Sequence, residues 1–252
     1  MLPHENLIYV ADQIHIPYGP RSTAELQQFS CAITEFLLQH NSKIIVVACN
    51  TATAAALNYL RQTFTDISFV GMEPAVKPAA RQTQTGQVGV LATAATIQSE
   101  RYADLMARFA QNVTVYEDPC FGLVQAIEAG HFATPQTKHL LQTILQPMLT
   151  RQVDTVVLGC THYPFVIDVI AEIVGTAVSI IDPAPAVARQ TERVLAKEGL
   201  LNQTNSSPHI RLITTGSRRD FASFVAQTLA LDCVVETAVW QNKQLTLPTP
   251  AK

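Results

Sequence analysis

Short apolar runs rich in β-branched residues alternate with stretches of helical period along nearly the whole chain of 252 residues. The runs fall at residues 7–10, 44–48, 68–71, 88–91, 113–116, 155–159, 178–181 and 210–214. Between them, apolar residues return every third or fourth position at 23–39, 53–62, 97–110, 121–129, 137–149, 165–174, 186–197 and 220–229, which predicts helices there. A strand that is apolar at every position is buried on both faces. The pattern therefore predicts an α/β fold whose mainly parallel sheets are covered by helices on both sides. Residues 245–252, with Pro248 and Pro250, predict a loose tail.

An internal echo narrows this further. Residues 44–51 read IIVVACNT and residues 155–162 read TVVLGCTH, each a buried strand, a small residue, a cysteine and then polar residues opening a helix. The repetition predicts two similar halves. A strand ending at Thr93 precedes the second cysteine, whereas the equivalent position before the first would fall upstream of Met1. The sequence is accordingly expected to lack one N-terminal strand of its first half.

Several function classes are set aside by composition. The formal charge of −3 and the absence of any basic run argue against a nucleic-acid partner, whose affinity comes mainly from clustered Lys and Arg. The five cysteines, Cys31, Cys49, Cys120, Cys160 and Cys233, are odd in number and lack CxxC spacing, so no disulfide framework or zinc site is expected. Reduced thiols, no signal-like N-terminus and no apolar run of membrane-spanning length predict a cytoplasmic protein with no membrane association.

A thiol at the carboxyl end of a parallel strand, where a helix begins, meets free backbone N–H groups and the positive end of a helix dipole. This predicts a favoured thiolate at Cys49 and at Cys160. Cys31, Cys120 and Cys233 read instead as small buried core residues. Two identical groups at matching positions of two halves suit inversion of a stereocentre: one thiolate removes a proton from one face and the opposite thiol delivers one to the other. His162, two residues beyond Cys160, is placed to polarise that thiol or accept its proton.

The segments ACNTA at 48–52 and LGCTHYP at 158–164 resemble the two signature motifs of the aspartate/glutamate racemase superfamily, and DQIHIPYGP at 12–20 is similar to a loop of glutamate racemases. The resemblance spans nearly the whole chain. It implies two similar α/β domains related by a pseudo-twofold axis, residues 1–73 plus 183–252 and residues 74–182, with the active site in the cleft between them. It also implies an isomerase that interconverts L- and D-glutamate without pyridoxal phosphate or any other cofactor, supplying D-glutamate for peptidoglycan synthesis, and it allows a homodimer. Carried over residue by residue, it makes Cys49 and Cys160 the acid-base pair, with His162 and Glu128 assisting in catalysis. Pro17, Tyr18, Gly19, Asn50, Thr51, Thr161 and His162 then become substrate contacts. Glutamate racemases begin with a strand leading into an Asp-Ser-Gly turn that assists the first cysteine. No Asp-Ser pair precedes Cys49 here, which predicts weak turnover by the sequence as it stands. The alternatives are racemisation of aspartate or another amino acid, a Cys-His hydrolase that leaves one cysteine idle, and a copy that binds substrate with little turnover.

Overall fold

The computed structural model describes residues 2–204, 207–229 and 234–248; Cys233 and the end of the predicted tail lie outside them. The elements in chain order are β1 (Leu7–Ala11), α1 (Thr23–Gln39), β2 (Ile44–Val47), α2 (Asn50–Thr63), β3 (Ser68–Gly71), α3 (Val76–Gln82) and β4 (Gln87–Ala92). There follow α4 (Ala94–Ile97), α5 (Glu100–Phe109), β5 (Thr114–Asp118), α6 (Leu123–Glu128), α7 (Pro135–Thr150), β6 (Thr155–Gly159), α8 (Ile167–Val174) and β7 (Ser179–Ile181). The last are α9 (Ala184–Lys197), β8 (Ile210–Thr214), α10 (Arg218–Leu229), β9 (Val235–Thr237), β10 (Val239–Gln241) and β11 (Gln244–Thr246).

The strands between residues 87 and 181 form one parallel sheet in the order β5-β4-β6-β7. Every residue of β6 is buried, because helices cover both faces. On one face α6, α7 and α8 enclose Leu141, Leu145, Leu158 and Ile170, and on the other α3 and α5 enclose Val76, Val88, Val90 and Val157. The remaining strands are divided. β1, β8 and β9 form one parallel sheet, and β2 with β3 forms another.

That division falls beside the first cysteine. In the second half β4 pairs with both β5 and β6, in registers that set Leu91 opposite Asp118 and Ala92 opposite Gly159. Among the described residues no strand pairs with both β1 and β2, and β2 is only partly buried, with Ala48 exposed beyond it. The small residues before the two cysteines differ for this reason. A Cβ added at Gly159 would lie 2.7 Å from the Ala92 Cβ and 2.8 Å from the Leu91 carbonyl oxygen, so the crowded position needs glycine. The open one accepts alanine.

The expected loose tail is corrected in part. Residues 244–246 form β11, an antiparallel partner of β10, and Leu245 is buried against Phe36, Ile213 and Ala238. The predicted helix at 97–110 begins only at Glu100, because the Ser99 side chain accepts from the Tyr102 backbone N–H and caps α5, while Ile97 ends the separate α4. An aromatic trio joins the halves: Phe224 on α10 meets Phe132 and Phe165 edge-to-face, with ring centroids 5.6 and 5.0 Å away. No helix among the described residues is long and apolar enough to cross a membrane.

Candidate active site

Cys49 ends the β2 segment and is the N-cap of α2. Its extended backbone (φ −154°, ψ 124°) lets the sulfur accept from the Ala52 backbone N–H at 3.4 Å. Burial nevertheless pushes the thiol up to about 11, outweighing that bond and those from Thr51, and the nearby Cys160 raises it further. The expected thiolate at Cys49 is thus corrected. The helix N-terminus does act on the sulfur, but desolvation is the larger effect. The same sign of interaction shows that Cys160 lies close enough for the two sulfurs to act on each other electrostatically.

Cys160 follows β6 and is buried. Its surroundings differ from those of Cys49, because a short 3-10 helix, Tyr163–Val166, comes before α8, so the helix-dipole argument made from sequence does not transfer. A side-chain relay stands in its place. His162 Nδ1 lies 3.8 Å from Cys160 Sγ, and His162 Nε2 lies 2.6 Å from Glu128 Oε1 at the end of α6. Burial opposes charge on the imidazole, but the bonds to Cys160 and Glu128 outweigh it and raise His162 to about 9. Glu128 is held below the usual carboxylate range, its burial overcome by His162 and by Gln13. At neutral pH an imidazolium therefore stands beside the Cys160 sulfur.

Gln13 was not singled out from sequence. Its Nε2 donates to Glu128 Oε2 at 3.0 Å, and its Oε1 accepts from Thr214 Oγ1 at 2.7 Å at the end of β8. Asp12, beside it, is buried and takes four donors: Tyr18 Oη at 2.7 Å, His15 Nδ1 at 2.8 Å, Trp240 Nε1 at 2.8 Å and Thr215 Oγ1 at 3.1 Å. His15 stacks on Phe29, with centroids 3.8 Å apart, and Trp240 meets both rings edge-on. This carboxylate fixes the loop that carries Pro17, Tyr18 and Gly19.

Gly19 lies against Thr93, whose methyl and Cβ a side chain there would touch. Thr93 follows β4 and caps α4, and its hydroxyl joins those of Thr51 and Thr96, with separations of 2.8 to 3.2 Å among the three. The cluster crosses from one half to the other. Of the substrate contacts expected from sequence, Gly19 and Thr51 meet here, and Pro17 and Tyr18 precede Gly19 in the same loop. Thr161 is half-buried beside Cys160 and His162, and its hydroxyl has no partner among the described residues. Asn50 stands apart from these. Its side chain is buried with neither amide atom hydrogen-bonded, lining a small cavity with Thr96, Ser99 and Tyr102, so what it can offer a ligand is the backbone N–H at the start of α2. The hydroxyl cluster and the relay to Gln13 join residues far apart in sequence; the one signal for Thr93 was its place at a strand end that mirrors the cysteines.

Among the described residues no group of three His, Cys, Asp or Glu side chains is arranged to hold a metal ion.

A family model described as Asp/Glu/Hydantoin racemase matches residues 1–191. A glutamate racemase of Herpetosiphon aurantiacus is 48% identical over 92% of this chain and 91% of its own length. Among solved structures, a glutamate racemase isoform of Bacillus anthracis is 33% identical with a TM-score of 0.84, covering 97% of this chain and 91% of the other. The Francisella tularensis glutamate racemase, solved in complex with D-glutamate, is 30% identical with a TM-score of 0.81 over 96% and 89% of the two chains.

Proposed function

The chain belongs to the Asp/Glu/Hydantoin racemase family and is an isomerase that interconverts L- and D-glutamate, and we propose that it does so by passing the α-proton between Cys49 and Cys160. The observation that supports this most is the placing of the two cysteines at echoed strand ends, near enough to act on each other and differently furnished. The imidazolium of His162 is a counter-charge for a thiolate at Cys160, and burial keeps Cys49 a thiol. A two-base inversion needs one thiolate and one thiol, and the two half-sites offer unequal surroundings to them.

In the forward step the Cys160 thiolate takes the α-hydrogen as a proton. The electron pair left on carbon is delocalised into the substrate carboxylate, and Cys49 delivers its proton to the opposite face. Each turnover exchanges the roles of the sulfurs, and the reverse reaction restores them. The cleft lies between residues 1–73 plus 183–252 and residues 74–182, and Tyr18, Gly19, Thr51, Thr161, His162 and the α2 backbone N–H groups hold the carboxylates. The working protein is a cytoplasmic enzyme, able to form a homodimer, that supplies D-glutamate for peptidoglycan synthesis.

The test is deuterium labelling of glutamate turnover in D₂O, followed by mass spectrometry of the separated enantiomers. At low conversion the product is expected to carry solvent deuterium at the α-carbon while recovered substrate carries almost none. Equal early labelling of both enantiomers means a single shared base and overturns the proposal.

A further inference from the structure

We propose that Gln13 is a positioning residue for the second half-site alone, a contact from the first half that sets the Glu128–His162 pair behind Cys160. This rests on the two-cysteine reading above. Gln13 stands just beyond β1, yet the group it reaches, Glu128, is 115 residues away in the other half. Both ends of its amide are committed. The Nε2 donates to Glu128 Oε2, and the Oε1 accepts from Thr214 Oγ1, which in turn accepts from the Gly216 backbone N–H at 2.9 Å.

Those two bonds fix which way the amide faces, since a flipped amide would set oxygen against the carboxylate and nitrogen against the hydroxyl. The side chain is also confined by volume. A Cβ at Gly216 would lie 2.9 Å from the Gln13 Cβ, so the turn after β8 closes directly onto Gln13. The carboxylate of Glu128 is thereby shared, one oxygen to His162 and the other to Gln13. A carboxylate held at both oxygens keeps the imidazole in one orientation, with Nδ1 toward the Cys160 sulfur.

Among the described residues no histidine or carboxylate relay reaches Cys49, whose sulfur is met by the α2 backbone and Thr51. Gln13 thus links closure of the two halves to one of the two acid-base groups. Separation of the halves takes the donor from Glu128 and loosens the relay, so Cys160 acts at full strength only when the first half is seated.

The experiment uses a glutamate bearing a chloride at the β-carbon. Removal of its α-proton by one thiolate expels chloride and needs no acid on the other face. In a Cys49→Ser background only Cys160 is left to act, and in a Cys160→Ser background only Cys49. Gln13→Ala is expected to slow elimination about 10-fold in the first background and to change it less than about 2-fold in the second. It should also move the alkaline limb of the first background's pH profile to lower pH. Thr214→Val, which frees the amide without removing it, should reproduce part of the loss in the first background only. Equal slowing in both backgrounds makes Gln13 a general closure or folding element and overturns the proposal, as does no slowing in either. Failure of the underlying two-base reading is visible separately, because the two single cysteine variants would then not divide the enantiomers between them.

Discussion

Cys49 and Cys160 occupy the same place in two copies of one motif, and their settings have little else in common. Cys160 ends a strand buried along its whole length, in the middle of a four-stranded sheet, and is served by a relay through His162, Glu128 and Gln13. Cys49 ends a strand with one described neighbour and is served by backbone N–H groups and Thr51. In the proposed mechanism a proton crosses between unequal groups. An imidazole held in its charged form faces the sulfur on one side and burial opposes charge on the other, so the two half-sites are unequal.

The strongest way to break this comparison is to remove each sulfur. Cys49→Ser and Cys160→Ser are each expected to lower glutamate racemisation, followed by circular dichroism, by on the order of 10⁴-fold, at the upper end of what a positioned acid or base supplies. With the β-chloro substrate each should retain elimination of one enantiomer, and not the same one. A smaller, one-sided effect is expected at His162. His162→Asn should slow Cys160-dependent elimination about 100-fold and leave the Cys49-dependent reaction nearly unchanged.

The pH dependence sharpens the same point. The folded protein holds His162 at about 9 against an ordinary 6.5, so the charged form is favoured by folding. Its contribution to stability is complete below pH 6.5 and declines until it is lost as pH rises through about 9. An alkaline loss of activity near pH 9 should disappear in His162→Asn. Packing supplies the mildest contrast. Gly159→Ala, which meets the β4 backbone and Ala92, should cost about 2 to 3 kcal/mol in thermal or denaturant unfolding. Ala48→Gly at the exposed counterpart should cost about 0.5 to 1 kcal/mol, and comparable losses at the two sites would erase the distinction between a crowded strand end and an open one.

How much of this was legible in the sequence follows from the range of the interactions. Each apolar run predicted as a strand is one, because burial on both faces leaves a local signature. The short strands β9, β10 and β11 and the short helix α3 were missed, since three to seven residues give too little periodicity, and Pro78 inside α3 argues against a helix. Cys49, Cys160, His162 and Glu128 were named from motifs, and the last three form a chain of contacts. Gln13 took part in nothing that a linear pattern could register, and Thr93 showed only its place at a strand end. The state of the Cys49 thiol was misjudged for a related reason. A helix start can be read along the chain, whereas the burial that overrides it is set by the folded surroundings of the thiol.

Trp240, the sole tryptophan of the chain, gives its indole proton to the Asp12 carboxylate that also takes the proton of Tyr18, and lies edge-on to His15 and Phe29. The molecule thus carries its own optical probe, wired to the loop of Pro17, Tyr18 and Gly19. A ligand that draws Tyr18 away removes one of the donors on the carboxylate that the indole also meets, and the expected outcome is a shift in Trp240 emission that follows occupancy in real time, without a label.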